Sequence, residues 1–452
     1  MLKKLSLFLL LVTFATTCLV AQGKKSKPAP APATHAAAGN ETIALKGGKL
    51  LTITHGVIEN GVVVIQNGRI TAVGGAGTAI PSSAKVIDVT GMTVYPGLID
   101  SETRLGLTEI SADRMTNDEL EASDEIMPHM HVYDAFHAET ALIPVTRING
   151  VTNAIVAPAS GDTLPGQDSF IQLAGASATE MLSVRDIAMP LNFTGAQRRN
   201  QSFESAKFPF TRMGMAEQLR QTFIDAMDYD QKLAAYEKKK SASGDDKEKD
   251  KGPGAPPKRD LKLEALLPYL HGKKPVVLAA EQPNDLLTAL DLANEFHLKI
   301  ILNHVTHSAS LLDKIASTGL PVIVGPIYEQ PKDDERYDTV FKMPAELAKR
   351  GVKIAFASYD AHNSRNLPYA AGYAVGFGLS PEEAMKAMTI NPAQMWGVDK
   401  DLGSLEVGKM GNVVVANGDP LDVKTDVKHV FIQGQEIPLV NRQTELRDQY
   451  WK

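Results

Sequence analysis

The sequence predicts an α/β chain: a parallel sheet covered by helices, with a smaller β domain assembled from both chain ends. Two observations lead there. After Gly91, compact apolar runs at 94–100, 151–157, 275–280, 299–303, 321–325 and 352–358 are followed in several cases by helical patterns, as at 284–296, 309–318 and 344–350. Repeated strand–helix units build a parallel sheet, either doubly wound or closed as a (β/α)8 barrel. Before and after that block the grammar is β only, with short β-branched runs separated by turn residues. No Gly-x-Gly-x-x-Gly follows any central run, which weighs against dinucleotide binding.

Taken in order, Met1-Leu2-Lys3-Lys4 and the apolar run 5–20, with Ala21 before Gln22, read as a secretory signal peptide over 1–21. The expected location is therefore periplasmic or extracellular, with no stable membrane span, because the run is short and no second apolar segment follows. The sole cysteine, Cys18, lies inside that segment, so cleavage leaves a chain without thiols. Any metal must then be held by His, carboxylates or a modified lysine. Residues 22–40 are rich in Lys, Pro and Ala and read as a linker.

The first part of the β domain spans 41–92, where Asn67-Gly68 is a two-residue hairpin signal. The barrel-type block spans 93–400. It is interrupted at 237–260, where a helix over about 215–236 runs into a charged, Pro/Gly-containing insertion expected to be disordered. The β domain resumes over 401–437, and 438–452 is a C-terminal tail. A formal charge of −6, from 47 basic and 53 acidic residues, and 6% aromatics argue against a nucleic-acid partner.

Three segments in order resemble the amidohydrolase superfamily, and the imidazolonepropionase-like and related exported members most of all. They are Thr93-Val94-Tyr95-Pro96-Gly97-Leu98-Ile99-Asp100, then Phe356-Ala357-Ser358-Tyr359-Asp360, then Gly378-Leu379-Ser380-Pro381-Glu382-Glu383-Ala384 with Thr389-Ile390-Asn391-Pro392-Ala393. The last continues to Gly403-Ser404-Leu405-Glu406-Val407-Gly408-Lys409. The resemblance covers about 41–434. It implies a TIM-like (β/α)8 barrel plus a β-sandwich from both ends, with the site at the C-terminal ends of the barrel strands. It also implies one or two divalent metals that activate water for attack on an amide-like carbon, a strand-eight aspartate as proton shuttle, and by analogy a homodimer. The activity implied is hydrolysis of non-peptide carbon–nitrogen bonds in a small-molecule substrate.

The departures from the family pattern fall on the metal ligands. Where members carry His-x-His after strand one, this chain has Glu102-Thr103-Arg104. Residues two apart on a strand share a face, and a guanidinium has no lone pair to give a metal. At ~4 Å and an effective dielectric of ~20, its charge opposes a divalent ion by roughly 8 kcal/mol. The strand-five ligand is also missing, since the Lys274-Pro275-Val276-Val277-Leu278 run continues into Ala279, and no strand-four lysine can be placed. What remains is Glu102, His304 and Asp360 as metal ligands. Asp360 is the expected proton shuttle, His304 the ligand or electrophile, and Arg104, His362 and Arg365 the substrate-binding candidates.

Two readings follow. Either those three residues hold one zinc or manganese ion, or no metal is held and Arg104 pairs with Asp360 or Glu102, leaving a ligand-binding or structural barrel. Other histidines carry weaker expectations. His129-Met130-His131 follows Met127-Pro128 rather than an apolar strand, His137 is more readily a packing residue, and His307 is a neighbour of His304. The run Gly161-Asp162-Thr163-Leu164-Pro165-Gly166-Gln167 lacks the Lys-Ser/Thr of a phosphate loop and reads as a turn at the barrel mouth. No Gly-x-Ser-x-Gly elbow supports serine hydrolysis.

Overall fold

Asn67 and Gly68, both at positive φ (51° and 77°), close the first hairpin as the Asn-Gly pair predicts. The computed structural model describes residues 41–121, 123–193, 208–209, 211–243, 254–332 and 335–451. The signal peptide and linker expected over 1–40 lie outside the described residues. The hairpin joins β2 (Val57–Gln66) to β3 (Arg69–Gly74), and β1 (Ile43–Leu51) pairs antiparallel with β2. The first half of β1 also pairs with β4 (Lys85–Asp88), and its second half with β5 (Thr93–Pro96).

The apolar run expected as one strand over 94–100 is two. β5 belongs to the terminal sheet, and β6 (Leu98–Thr103) opens the barrel. Gly97 makes that joint, because a Cβ there would stand 2.1 Å from Thr152 Oγ1.

The barrel strands continue in spatial order as β7 (Val151–Val156), β8 (Asp168–Gln172), β9 (Leu182–Asn192), β10 (Val276–Ala279), β11 (Ile300–Asn303), β12 (Val322–Val324) and β13 (Ile354–Phe356). Helix α1 (Leu142–Arg147) precedes β7, and the short α2 (Ala178–Met181) joins β8 to β9. Helices α3 (Arg212–Ser243) and α4 (Leu261–Leu270) precede β10; α5 (Pro283–Glu295), α6 (Leu312–Thr318) and α7 (Thr339–Lys349) link the strands that follow. One strand departs from the all-parallel expectation: β8 runs antiparallel to both β7 and β9.

The helix expected to stop near Tyr236 runs on to Ser243, and Asp260 caps α4 by accepting from the Lys262 and Leu263 amides. Within the proposed 237–260 insertion, 244–253 lie outside the described residues.

After β13 come α8 (Leu367–Gly376), α9 (Pro381–Lys386) and α10 (Ile390–Met395). The barrel interior is filled by Ile99, Ile155, Phe170, Val277, Ile301, Ile323 and Ala355, against which Met395 and Trp396 pack. The chain then returns to the terminal sheet as β14 (Val413–Ala416), β15 (Val427–Ile432) and β16 (Gln435–Glu436), with β14 antiparallel to β5. Both chain ends thus form one eight-stranded sheet over a core that includes Leu45, Val63, Val94, Val413 and Phe431. The expected tail contains α11 (Arg442–Tyr450), started by an Asn441/Thr444 capping box. No helix among the described residues is long and apolar enough to cross a membrane.

Candidate functional site

A one-residue bulge in β6 builds the site. Pairing with β7 advances three residues on β6 (Asp100 to Thr103) for two on β7 (Ala154 to Val156). Alternation therefore resets, so Ile99 points into the barrel below the bulge and Glu102 and Arg104 point inward above it. The bonds that Glu102 makes across the barrel confirm that direction. Asn303 Nδ2, at the end of β11, donates to Glu102 Oε2 at 2.5 Å, while Arg104 Nη2 donates to Oε1 at 2.7 Å. Arg104 Nη1 donates to the Ala157 carbonyl at 3.1 Å. Tyr359 OH, from the end of β13, donates to Asn303 Oδ1 at 2.6 Å. Four strands thereby converge on one closed network. Glu102 and Arg104 are 6% and 7% exposed, so this is a desolvated ion pair.

Two more groups face the same layer. Asp168, two residues from the interior Phe170, is buried and its Oδ1 has no hydrogen-bond partner among the described residues. Burial, reinforced by the Glu102 charge and opposed by Arg104, holds its pKa well above the carboxylate range. His304 follows Asn303 in the left-handed region (φ 54°), and its ring lies 4.6 Å from that of Tyr359. Its Nε2 is buried without a partner among the described residues. Burial lowers its pKa, against the pull of Glu102, so the imidazole is neutral at pH 7.

Asp100, at the foot of the bulge, reaches sideways instead of inward. It accepts the Ser358 amide at 3.0 Å and the Ser358 hydroxyl at 2.5 Å. Burial pushes its pKa up to about 7, although the Ser358 bonds oppose the shift. With the Tyr359 amide bonded to the Glu102 carbonyl at 2.9 Å, these contacts join β13 to β6 where no strand ladder runs.

The sequence-derived site residues separate here. Glu102, Arg104 and His304 meet at the mouth. Asp360 does not join them: its Oδ1 accepts the His362 and Asn363 amides at 2.6 and 2.9 Å, capping the turn Asn363–Asn366, and the side chain is 43% exposed. The pairing of Arg104 is with Glu102 and not with Asp360. His362 is 3.9 Å from Asp360 Oδ1 and half exposed, and Arg365 lies on the same turn, where its carbonyl accepts Asn149 Nδ2.

His131 pairs with Asp186 at 2.7 Å and His137 with Asp118 at 3.1 Å, while His129 Nδ1 is buried with no hydrogen-bond partner among the described residues. His307 is held between Glu335 at 2.7 Å and Glu329 at 3.6 Å. The 161–167 run is the turn from β7 to β8 at the mouth.

The donor set does not fit the family's metal. Glu102, His304 and Asp360 are not gathered round one point, and both oxygens of Glu102 are occupied by Arg104 and Asn303. Among the described residues no three His, Cys, Asp or Glu side chains are arranged to hold a metal ion. Strand four ends in Asn192, which donates to the Asp162 carbonyl, and not in a lysine. Sequence reasoning missed Asp168, Asn303, Tyr359 and Asp100 as site members. Asn303 and Tyr359 were visible only as neighbours of His304 and Asp360, and Asp168 carried no signal.

The model of the Amidohydrolase family matches residues 283–437. Across 398 residues the chain is 25% identical to Amidohydrolase tasK of Hapsidospora irregularis, covering 83% of this chain but only 39% of that protein's length. Across 393 residues it is 25% identical to an imidazolonepropionase of Sphingopyxis alaskensis, covering 81% of this chain and 89% of that one. An amidohydrolase structure from Thermotoga maritima superposes with a TM-score of 0.77 at 28% identity, covering 88% of this chain and 100% of that chain. The motifs at strands one and eight, the nearly closed eight-stranded barrel and these likenesses agree in pointing to the amidohydrolase superfamily.

Proposed function

We propose that this protein binds a small molecule at the barrel mouth, with the Glu102–Arg104 ion pair in place of the superfamily's catalytic metal. The observation that carries the reading is the buried 2.7 Å pair, which fills the strand-one ligand positions with a charge that repels a metal. The neutral layer it leaves, with His304 Nε2 and Asp168 Oδ1 unbonded among the described residues, offers hydrogen bonds to a polar, uncharged group of the amide type.

The test is metal content and ligand response of the purified protein. After incubation with zinc and manganese followed by dialysis, bound metal well below one equivalent is expected. Small amides, lactams and ureas should raise the melting temperature in wild type and not in His304→Gln. One equivalent of metal that is lost in Glu102→Gln would overturn the proposal.

His304 favours a second reading, hydrolysis of a non-peptide carbon–nitrogen bond without metal. Its neutral Nε2 would take a proton from water as the water oxygen bonds to the carbonyl carbon. It would return that proton to the nitrogen as the carbon–nitrogen bond breaks. Turnover that persists in metal-free protein and disappears in His304→Gln would select this reading over binding alone. We further propose export, supported by the basic and apolar run over 1–20. An uncleaved chain in the cytoplasmic fraction would refute it.

A further inference from the structure

Away from the barrel mouth, the terminal sheet and helix α9 enclose a cleft of about 430 Å³. Its wall is apolar, formed by Ile53, Val57, Met385 and Leu421, and its rim carries Lys49, Lys386, Glu382 and Asp419. Ile53 reaches this wall from a left-handed backbone conformation (φ 76°), which a β-branched residue adopts only against steric resistance. The surrounding loop enforces it. Thr52 Oγ1 donates to the Gly56 carbonyl at 2.7 Å and the His55 amide donates to Thr52 Oγ1 at 2.9 Å. The Leu405 amide holds the Thr52 carbonyl at 3.2 Å. A strained apolar residue kept in place against a cavity is a mark of binding function.

The rim charges are not equivalent. Lys386 is engaged by Glu382 at 2.6 Å and Glu383 at 3.1 Å. Asp419 accepts the Leu421 amide at 3.0 Å. Lys49 lies 3.8 Å from Glu59, beyond hydrogen bonding, and is half exposed. It is the rim cation with donors to spare.

We infer that this cleft binds an apolar monocarboxylate, its hydrocarbon body against Ile53, Val57, Met385 and Leu421 and its carboxylate paired with Lys49. A body of this kind gains from apolar burial in a cavity of ligand size. The head group sets the choice among amphiphiles of equal length.

The experiment is calorimetric titration of the full protein with decanoate below its micelle concentration, beside decanol and decylamine. Decanoate should bind one to one and more tightly than either. Lys49→Gln should weaken decanoate about fivefold, near 1 kcal/mol, and leave decanol unchanged, while Lys386→Gln should have little effect. Ile53→Gly exchanges the side chain's packing for relief of the strained backbone, so it should still fold cooperatively yet lose affinity for all three compounds. Decylamine binding as tightly as decanoate, an unaltered Lys49→Gln, or no saturable binding would each overturn the inference.

Discussion

Replacing Arg104 with Met removes one charge from a pair in which both members are over nine-tenths buried. At about 4 Å and an effective dielectric of about 20, the lost attraction is about 4 kcal/mol. Mutational experience with buried pairs gives a similar loss, about 3–5 kcal/mol, because the remaining carboxylate stays desolvated and uncompensated. Chemical denaturation monitored by circular dichroism should show that loss at pH 7. The second substitution decides the argument. Glu102→Gln keeps acceptor and donor atoms near Asn303 and removes the orphaned charge. The Glu102→Gln/Arg104→Met pair should therefore recover most of the stability, a coupling of about 2–3 kcal/mol. If Arg104→Met alone costs under about 1 kcal/mol, the value of an exposed pair, the picture of a dry ion pair replacing a metal fails.

Three further outcomes are expected. Asp100, with a folded pKa of about 7 against an ordinary 3.8, holds its proton more tightly when folded, so its contribution is full in acid and is lost as pH rises from about 4 to about 7. Across that window wild type should lose about 4 kcal/mol that Asp100→Asn does not lose, and parallel pH–stability curves would contradict this. Gly97→Ala drives a Cβ into Thr152 and should cost at least about 2 kcal/mol, with Thr152→Gly in the same background restoring part of it; an unchanged melting curve for the single variant would refute the packing argument. Asp360→Ala should cost only about 1 kcal/mol, the worth of a cap, and leave small-molecule binding at the mouth intact; loss of binding would return Asp360 to the site.

The sequence reads well where local chemistry decides. The Asn67-Gly68 turn and the apolar strands β10 to β13 follow from short-range pattern, and so does the α5 helix. It reads badly at β8 and β9. Asp168-Ser169-Phe170-Ile171-Gln172 buries polar residues at both ends, and the first half of β9 is exposed, so neither shows a compact apolar run.

At the site, the common face of Glu102 and Arg104 was legible. Their closure by Asn303 and Tyr359 was not, because it joins residues about 200 and 250 positions away through the barrel. Asp360 holds the right place in the chain, yet its carboxylate is captured by amides two and three residues further on. Position along a strand end is encoded in a motif; the direction of a side chain is settled by the nearest competing donors.

The joint between β13 and β6 has a mechanical consequence. Seven of the eight seams in this barrel are stitched by paired strands. The eighth is fastened mostly by side chains: Asp100 accepts the Ser358 amide and hydroxyl, Thr103 Oγ1 donates to the Asp360 carbonyl at 2.8 Å, and the Tyr359 amide donates to the Glu102 carbonyl. That seam separates the strand carrying Glu102 from the strand end carrying Tyr359. Amide exchange at Ser358 and Tyr359 would report a parting there directly.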